Sequence, residues 1–113
     1  MKIEKEFHIN AAHYLPNYQG KCKQMHGHTW VLIVKCDGTP DPFSGMILDF
    51  YELDVIVKRE VCSILDHSVI NDTIPNPTAE NVAIWIHKKL AGKIPEPFAI
   101  LLSEGIDGSG VEL

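Results

Sequence analysis

"IEKEFHINAAH", residues 3–13, separates into two interleaved sets: Ile3, Lys5, Phe7, Ile9, Ala11 and His13 at odd positions, Glu4, Glu6, His8, Asn10 and Ala12 at even ones. A repeat of two is the period of a β-strand, because successive side chains leave opposite faces. The same period returns over about His26–Asp37, with His26, Trp30, Leu32 and Val34 on one face and Val31 and Ile33 on the other. Both faces of this second strand are apolar in the middle, which predicts cover on both sides.

Beyond it the pattern changes. "DGTPDPFSG" (37–45) concentrates turn residues and predicts a loop. Phe50, Leu53, Val57, Val61 and Ile64 then recur at steps of three and four, predicting a helix over about 50–65 opened by Asp49, with Glu52 three residues on as a capping box. "NDTIPNP" (71–77) breaks the chain, and Thr78 caps a second helix with Val82, Ala83, Ile86 and Leu90 on its apolar side, ended by Gly92 and Pro95. "FAILL" (98–102) predicts a short buried strand, and "GIDGSG" (105–110) a turn into a last strand over 111–113. Strand, strand, helix, helix, strand, strand predicts an α+β domain, with a four-stranded antiparallel sheet and two helices on one face. Such a sheet has two open edges and one uncovered face, and both are removed if subunits join edge to edge into a closed barrel.

Composition narrows the function. The 113 residues are 45% hydrophobic, enough for one globular domain spanning 1–113. A formal charge of −5 disfavours general nucleic-acid binding, which needs a basic face to replace phosphate counterions. The first residues alternate charged with apolar, so no secretory signal or membrane span is read, and a cytoplasmic location is expected. Cys22, Cys36 and Cys62 are odd in number and lack CxxC spacing, which argues for reduced thiols.

The chemistry-bearing residues concentrate around "CKQMHGH", 22–28. Two residues apart on a strand, His26 and His28 leave the same face roughly 6.5 to 7 Å apart at the backbone, a spacing that lets two imidazoles grip one metal ion. An antiparallel return from the first strand brings His13 beside them as a third ligand. Three histidines leave a fourth position open, as in catalytic zinc sites, unless Cys22 fills it and makes the metal structural. Cys22 lies between Lys21 and Lys23, whose charges favour a thiolate. Cys36 and Cys62 have apolar neighbours and read as core residues. Asp66 precedes His67 at the end of the first helix, where a carboxylate can orient an imidazole for proton transfer or the His can simply cap the helix. Glu104, between a buried strand and a turn, can receive two parallel N–H bonds from a guanidine-like heterocycle.

With these residues placed, the chain resembles the 6-pyruvoyl-tetrahydropterin synthase family, and within it the bacterial branch that makes 6-carboxytetrahydropterin. The likeness rests on "FHINAAHYL" (7–15), "CKQMHGH" (22–28), "GMILDFYEL" (45–53), "LDHSVIN" (65–71), "NPTAENVA" (76–83) and "SEG" (103–105), in that order. It implies the tunnelling fold, assembled as two stacked trimeric barrels with sites between subunits. It also implies that His13, His26 and His28 hold Zn²⁺, that Cys22 is the catalytic thiol, and that Asp66 and His67 are its proton-relay partners. Glu104 would anchor the pterin through its 2-amino and N3 hydrogens, with Thr78 and Glu80 near the ring. The implied substrate is 7,8-dihydroneopterin triphosphate, cleaved in the carboxy branch to a 6-carboxylate and acetaldehyde on the route to queuosine. In a folate-pathway relative, a glutamate three residues before the HxH pair replaces the cysteine; here that position is Lys23, which disfavours the folate activity. Lys21, Lys23, Lys35 and Arg59 are candidates for the triphosphate. Two readings compete with the lyase: a structural zinc module and a pterin-binding protein without turnover.

Overall fold

Strand β1 runs over Lys2–His13 and pairs antiparallel with β2, His26–Asp37, through twelve residue pairs from Lys2↔Asp37 to His13↔His26, in a computed structural model that describes residues 1–106 and 108–113. The register sets odd residues of β1 against even residues of β2, so Phe7 faces Leu32 and Ile9 faces Trp30 on the buried side of the sheet. Glu4, Glu6, His8 and Asn10 point the other way and are exposed. Burying each large apolar side chain contributes about 1.5–3 kcal/mol, which makes this register costly to slip, since a one-residue shift would turn the whole set outward.

The sheet departs from the expected four antiparallel strands. It has five, in the order β3-β1-β2-β4-β5, and it is mixed. The added strand, β3, is only Ser68–Val69 and lies parallel to Ala11–Ala12 of β1. Two residues carry no readable period; they pair because the chain returns from the first helix alongside β1, where the His67 amide donates to the Asn10 carbonyl. Strand β4 spans Phe98–Ser103 and pairs antiparallel with β2, and β5, Gly110–Glu112, pairs antiparallel with β4. Asp107, within the expected turn at 105–110, lies outside the described residues.

The first helical rod has three parts: helix α1 (Phe50–Val57), a π-helical turn (Lys58–Cys62) and helix α2 (Ser63–Leu65). Asp49 caps α1 by accepting from the Tyr51 amide, one residue short of the partner a capping box uses. The π turn was not readable from the apolar spacing. Just past it the Ser63 hydroxyl donates back to the Arg59 carbonyl within the turn, a side-chain competitor of the kind that distorts a helix. Helix α3, Ala79–Leu90, starts where predicted, with the Thr78 side chain accepting from the Asn81 amide.

Leu53, Val57, Val61 and Leu65 from the first rod and Val82, Ala83, Ile86 and Leu90 from α3 join the inward side chains of the sheet in one core. Both rods therefore cover the same face. On the opposite face Val31, Ile33 and Leu101 are half-buried among charged neighbours. No helix among the described residues is long and apolar enough to cross a membrane.

Candidate metal centre and pterin site

The antiparallel register decides where the histidines meet. His13 ends β1 directly opposite His26, the first residue of β2, and His28 follows two residues later on the same face. Their ring centroids are 4.6 Å (His13–His26), 5.1 Å (His13–His28) and 4.8 Å (His26–His28) apart. One nitrogen from each lies within 4.8 Å of the others.

Hydrogen bonds to the backbone assign the roles of the ring nitrogens. His13 Nδ1 is 2.8 Å from the Pro77 carbonyl and His26 Nδ1 is 2.7 Å from the Gln24 carbonyl. A carbonyl only accepts, so in both rings Nδ1 carries the hydrogen and Nε2 carries a lone pair. This is the outer-shell arrangement by which proteins orient histidine ligands. The Nε2 atoms of His13, His26 and His28 are all buried without a hydrogen-bond partner among the described residues. Buried polar atoms are ordinarily paired, and three unpartnered imidazole nitrogens, two of them acceptors by these bonds, fit a metal ion. The metal-capable group holds these three histidines and not Cys22, which leaves the pattern of an open rather than a closed site.

Burial is the main influence that holds the pKa of His13 below its ordinary value, aided by the neighbouring imidazoles and opposed by the Pro77 bond and Glu104. A base whose folded pKa is depressed takes up protons more readily when unfolded. Its contribution to stability is therefore complete above about pH 6.5 and is lost as pH falls through the folded value. Urea titrations of metal-free protein at pH 7.5, 6.5 and 5.5 should give midpoints that fall across the series, with the drop reduced in His13→Phe.

Of the other residues singled out in the sequence, Glu104 is the one drawn to the triad: its Oε2 is 3.8 Å from His28 Nε2. Both line a pocket of about 700 Å³ together with His8, Gly27, Thr29, Gly105, Ile106 and Ser109. An added Cβ at Gly27 would meet nothing closer than the Ala11 carbonyl at 3.9 Å, so the missing side chain leaves room on the pocket side. Thr78 follows the Pro77 carbonyl that orients His13, while Glu80 is exposed on the first turn of α3. Cys22 is half-exposed on a short 3-10 turn, Lys21–Lys23, held by the bond from the Leu15 amide to the Cys22 carbonyl. Two residues later Gln24 orients His26, so one short segment carries both the thiol and a ligand's anchor.

Asp66 and His67 are a bonded pair, Oδ2 to Nδ1 3.0 Å, at the edge of β1. Asp66 Oδ1 accepts from the Asn10 amide at 2.8 Å, and that bond is the main cause holding its carboxyl below the usual carboxylate range. Asp66 lines a different pocket, with Lys5, His8, Asp54, Lys58, Cys62 and Ser63, from the one that holds His28 and Glu104. His67 is 79% exposed at its side chain and has a φ of 58°, the left-handed region that disfavours residues with a Cβ. His67→Gly should therefore be more stable than His67→Ala by about 1 kcal/mol in urea unfolding, a difference that separates the backbone's demand from the imidazole's role.

Sequence reasoning overlooked His8, Thr29 and Ser109. His8 and Thr29 lie on the outward face, where alternation alone reads as solvent exposure. The Pro77 and Gln24 carbonyls have no sequence signature at all.

Residues 2–107 match the 6-pyruvoyl tetrahydropterin synthase family. The chain belongs to it. Membership places the chain among the pterin lyases and supports a metal-dependent reading of the triad. The chain is 39% identical over 94 residues to the 6-carboxy-5,6,7,8-tetrahydropterin synthase of Synechocystis sp., covering 78% of this chain and 73% of the relative. It is 33% identical over 106 residues to the enzyme of that name from Haemophilus influenzae, covering 91% and 74%. The structure of Caenorhabditis elegans 6-pyruvoyl tetrahydropterin synthase superposes on all of this chain and 94% of its own length, with a TM-score of 0.88 and 26% identity. The α+β architecture that the family shares is the one built above from strand register and helix periodicity.

Proposed function

We propose that this chain is a zinc-dependent 6-carboxytetrahydropterin synthase, converting 7,8-dihydroneopterin triphosphate and water to 6-carboxy-5,6,7,8-tetrahydropterin, acetaldehyde and triphosphate. The observation that carries the reading is the convergence of three buried, unpartnered imidazole nitrogens beside the Glu104 carboxylate. His13, His26 and His28 hold the ion. Zinc bound there supplies Lewis-acid polarisation of the substrate's side-chain oxygens.

The chain's own residues do the rest. Glu104 accepts two parallel N–H bonds from the pterin's 2-amino and N3 groups, which fixes the ring. Thr78 and Glu80 stand near the ring edge. Cys22 moves the proton on the substrate's side-chain carbon, and the Asp66–His67 pair relays it. The relay pair that serves a given Cys22 comes from a neighbouring subunit, as sites between subunits require. The half-buried Val31, Ile33 and Leu101 on the uncovered face support assembly into a barrel, as a dimer of trimers. The 6-pyruvoyl product is a second reading, favoured by the likeness to the Caenorhabditis elegans synthase.

Chelation separates this reading from a structural zinc module. Removing the metal should abolish turnover while far-UV circular dichroism stays unchanged, and zinc should restore it. Unfolding on chelation would instead make the metal structural.

A further inference from the structure

The three unpartnered histidine nitrogens have an account in metal ligation, but a fourth buried nitrogen without a partner among the described residues stands beside them: Trp30 Nε1. Trp30 is 1% exposed and follows His28 by two residues on β2, so its indole occupies the same inward face, opposite Ile9. Its ring centroid is 5.0 Å from that of His13 with the planes at 80°, and 5.4 Å from that of His28 with the planes at 83°. A phenylalanine would fill much of this volume without burying a donor. An orphaned donor costs about 1–3 kcal/mol, so the indole brings something that offsets it.

The triad itself indicates what that is. The Pro77 carbonyl holds His13 and the Gln24 carbonyl holds His26, but no carbonyl among the described residues holds His28 in that way. Besides the two imidazoles of the triad, the ring that packs against His28 is the indole. Near-perpendicular packing is a preferred aromatic geometry, and it restricts rotation of both rings.

We propose that Trp30 is a positioning residue of the histidine triad, its indole fixing the ring planes of His13 and His28 so that their Nε2 atoms converge. The inference rests on the reading of the triad as a metal site.

The test is a titration of metal-free protein with Co²⁺, followed by chelator competition and by the visible absorption of the bound ion. Wild type should bind one Co²⁺ per chain. Affinity should weaken from Trp30 through Trp30→Phe to Trp30→Leu, with the leucine variant about 10–100-fold weaker, the usual cost of losing an outer-shell partner. The Co²⁺ absorption bands should shift in Trp30→Leu and be largely restored in Trp30→Phe, which a purely space-filling role would not produce. In a Trp85→Phe background the remaining emission belongs to Trp30 and should be quenched in step with loading. Should Trp30→Leu fail to fold, wild type against Trp30→Phe, together with the quenching, decides. Equal affinities within twofold, unshifted bands or unquenched emission would overturn the proposal. A wild-type protein that binds no Co²⁺ would overturn the metal reading and this inference with it.

Discussion

Cys22→Ala should retain its fold and one zinc per chain while turnover of 7,8-dihydroneopterin triphosphate falls by about 10²–10⁴-fold, the usual contribution of a positioned acid–base group. The expectation follows from where the thiol sits. Cys22 is half-exposed on a short turn rather than in the core, so its loss opens no large cavity. It is also outside the metal-capable group, so the three imidazoles keep their geometry without it. Metal analysis and thermal unfolding should match wild type, and the rate alone should fall. If zinc content falls with the rate, Cys22 is a ligand and the site is closed.

His28→Ala should have a comparable effect on rate and a different one on metal content. It leaves two ligands at a site that needs three, so zinc content after dialysis should drop from one per chain to near zero. Losing several kcal/mol of charge stabilisation corresponds to a rate on the order of 10³-fold lower or less. His28 is partly exposed, whereas His13 is 1% exposed and bonded to Pro77, so His28→Ala should be tolerated by the fold better than His13→Ala. Metal analysis beside urea unfolding for the two variants checks both statements. Retention of zinc in His28→Ala would remove the triad as the binding site.

What was legible beforehand, and what was not, follows from the range of the interactions involved. The two twelve-residue strands declare themselves because a period of two persists over many residues, and the triad follows from it: His26 and His28 share a face, and antiparallel return places His13 opposite. Thr78 is legible as a cap because its partner, the Asn81 amide, is three residues away. The unreadable features depend on contacts distant in sequence or on backbone groups. Strand β3 exists only because Ser68–Val69 lands beside Ala11–Ala12, and the π turn arises inside an apolar pattern that an ordinary helix satisfies equally well. His8 joins the pocket of His28 and Glu104 from the face that alternation assigns to solvent.

The most direct test of the central claim is mass spectrometry of the products formed when zinc-loaded protein is incubated with 7,8-dihydroneopterin triphosphate. Equal amounts of 6-carboxy-5,6,7,8-tetrahydropterin and acetaldehyde, with triphosphate released, are the predicted result. Recovery of unchanged substrate from folded, zinc-loaded protein would contradict it.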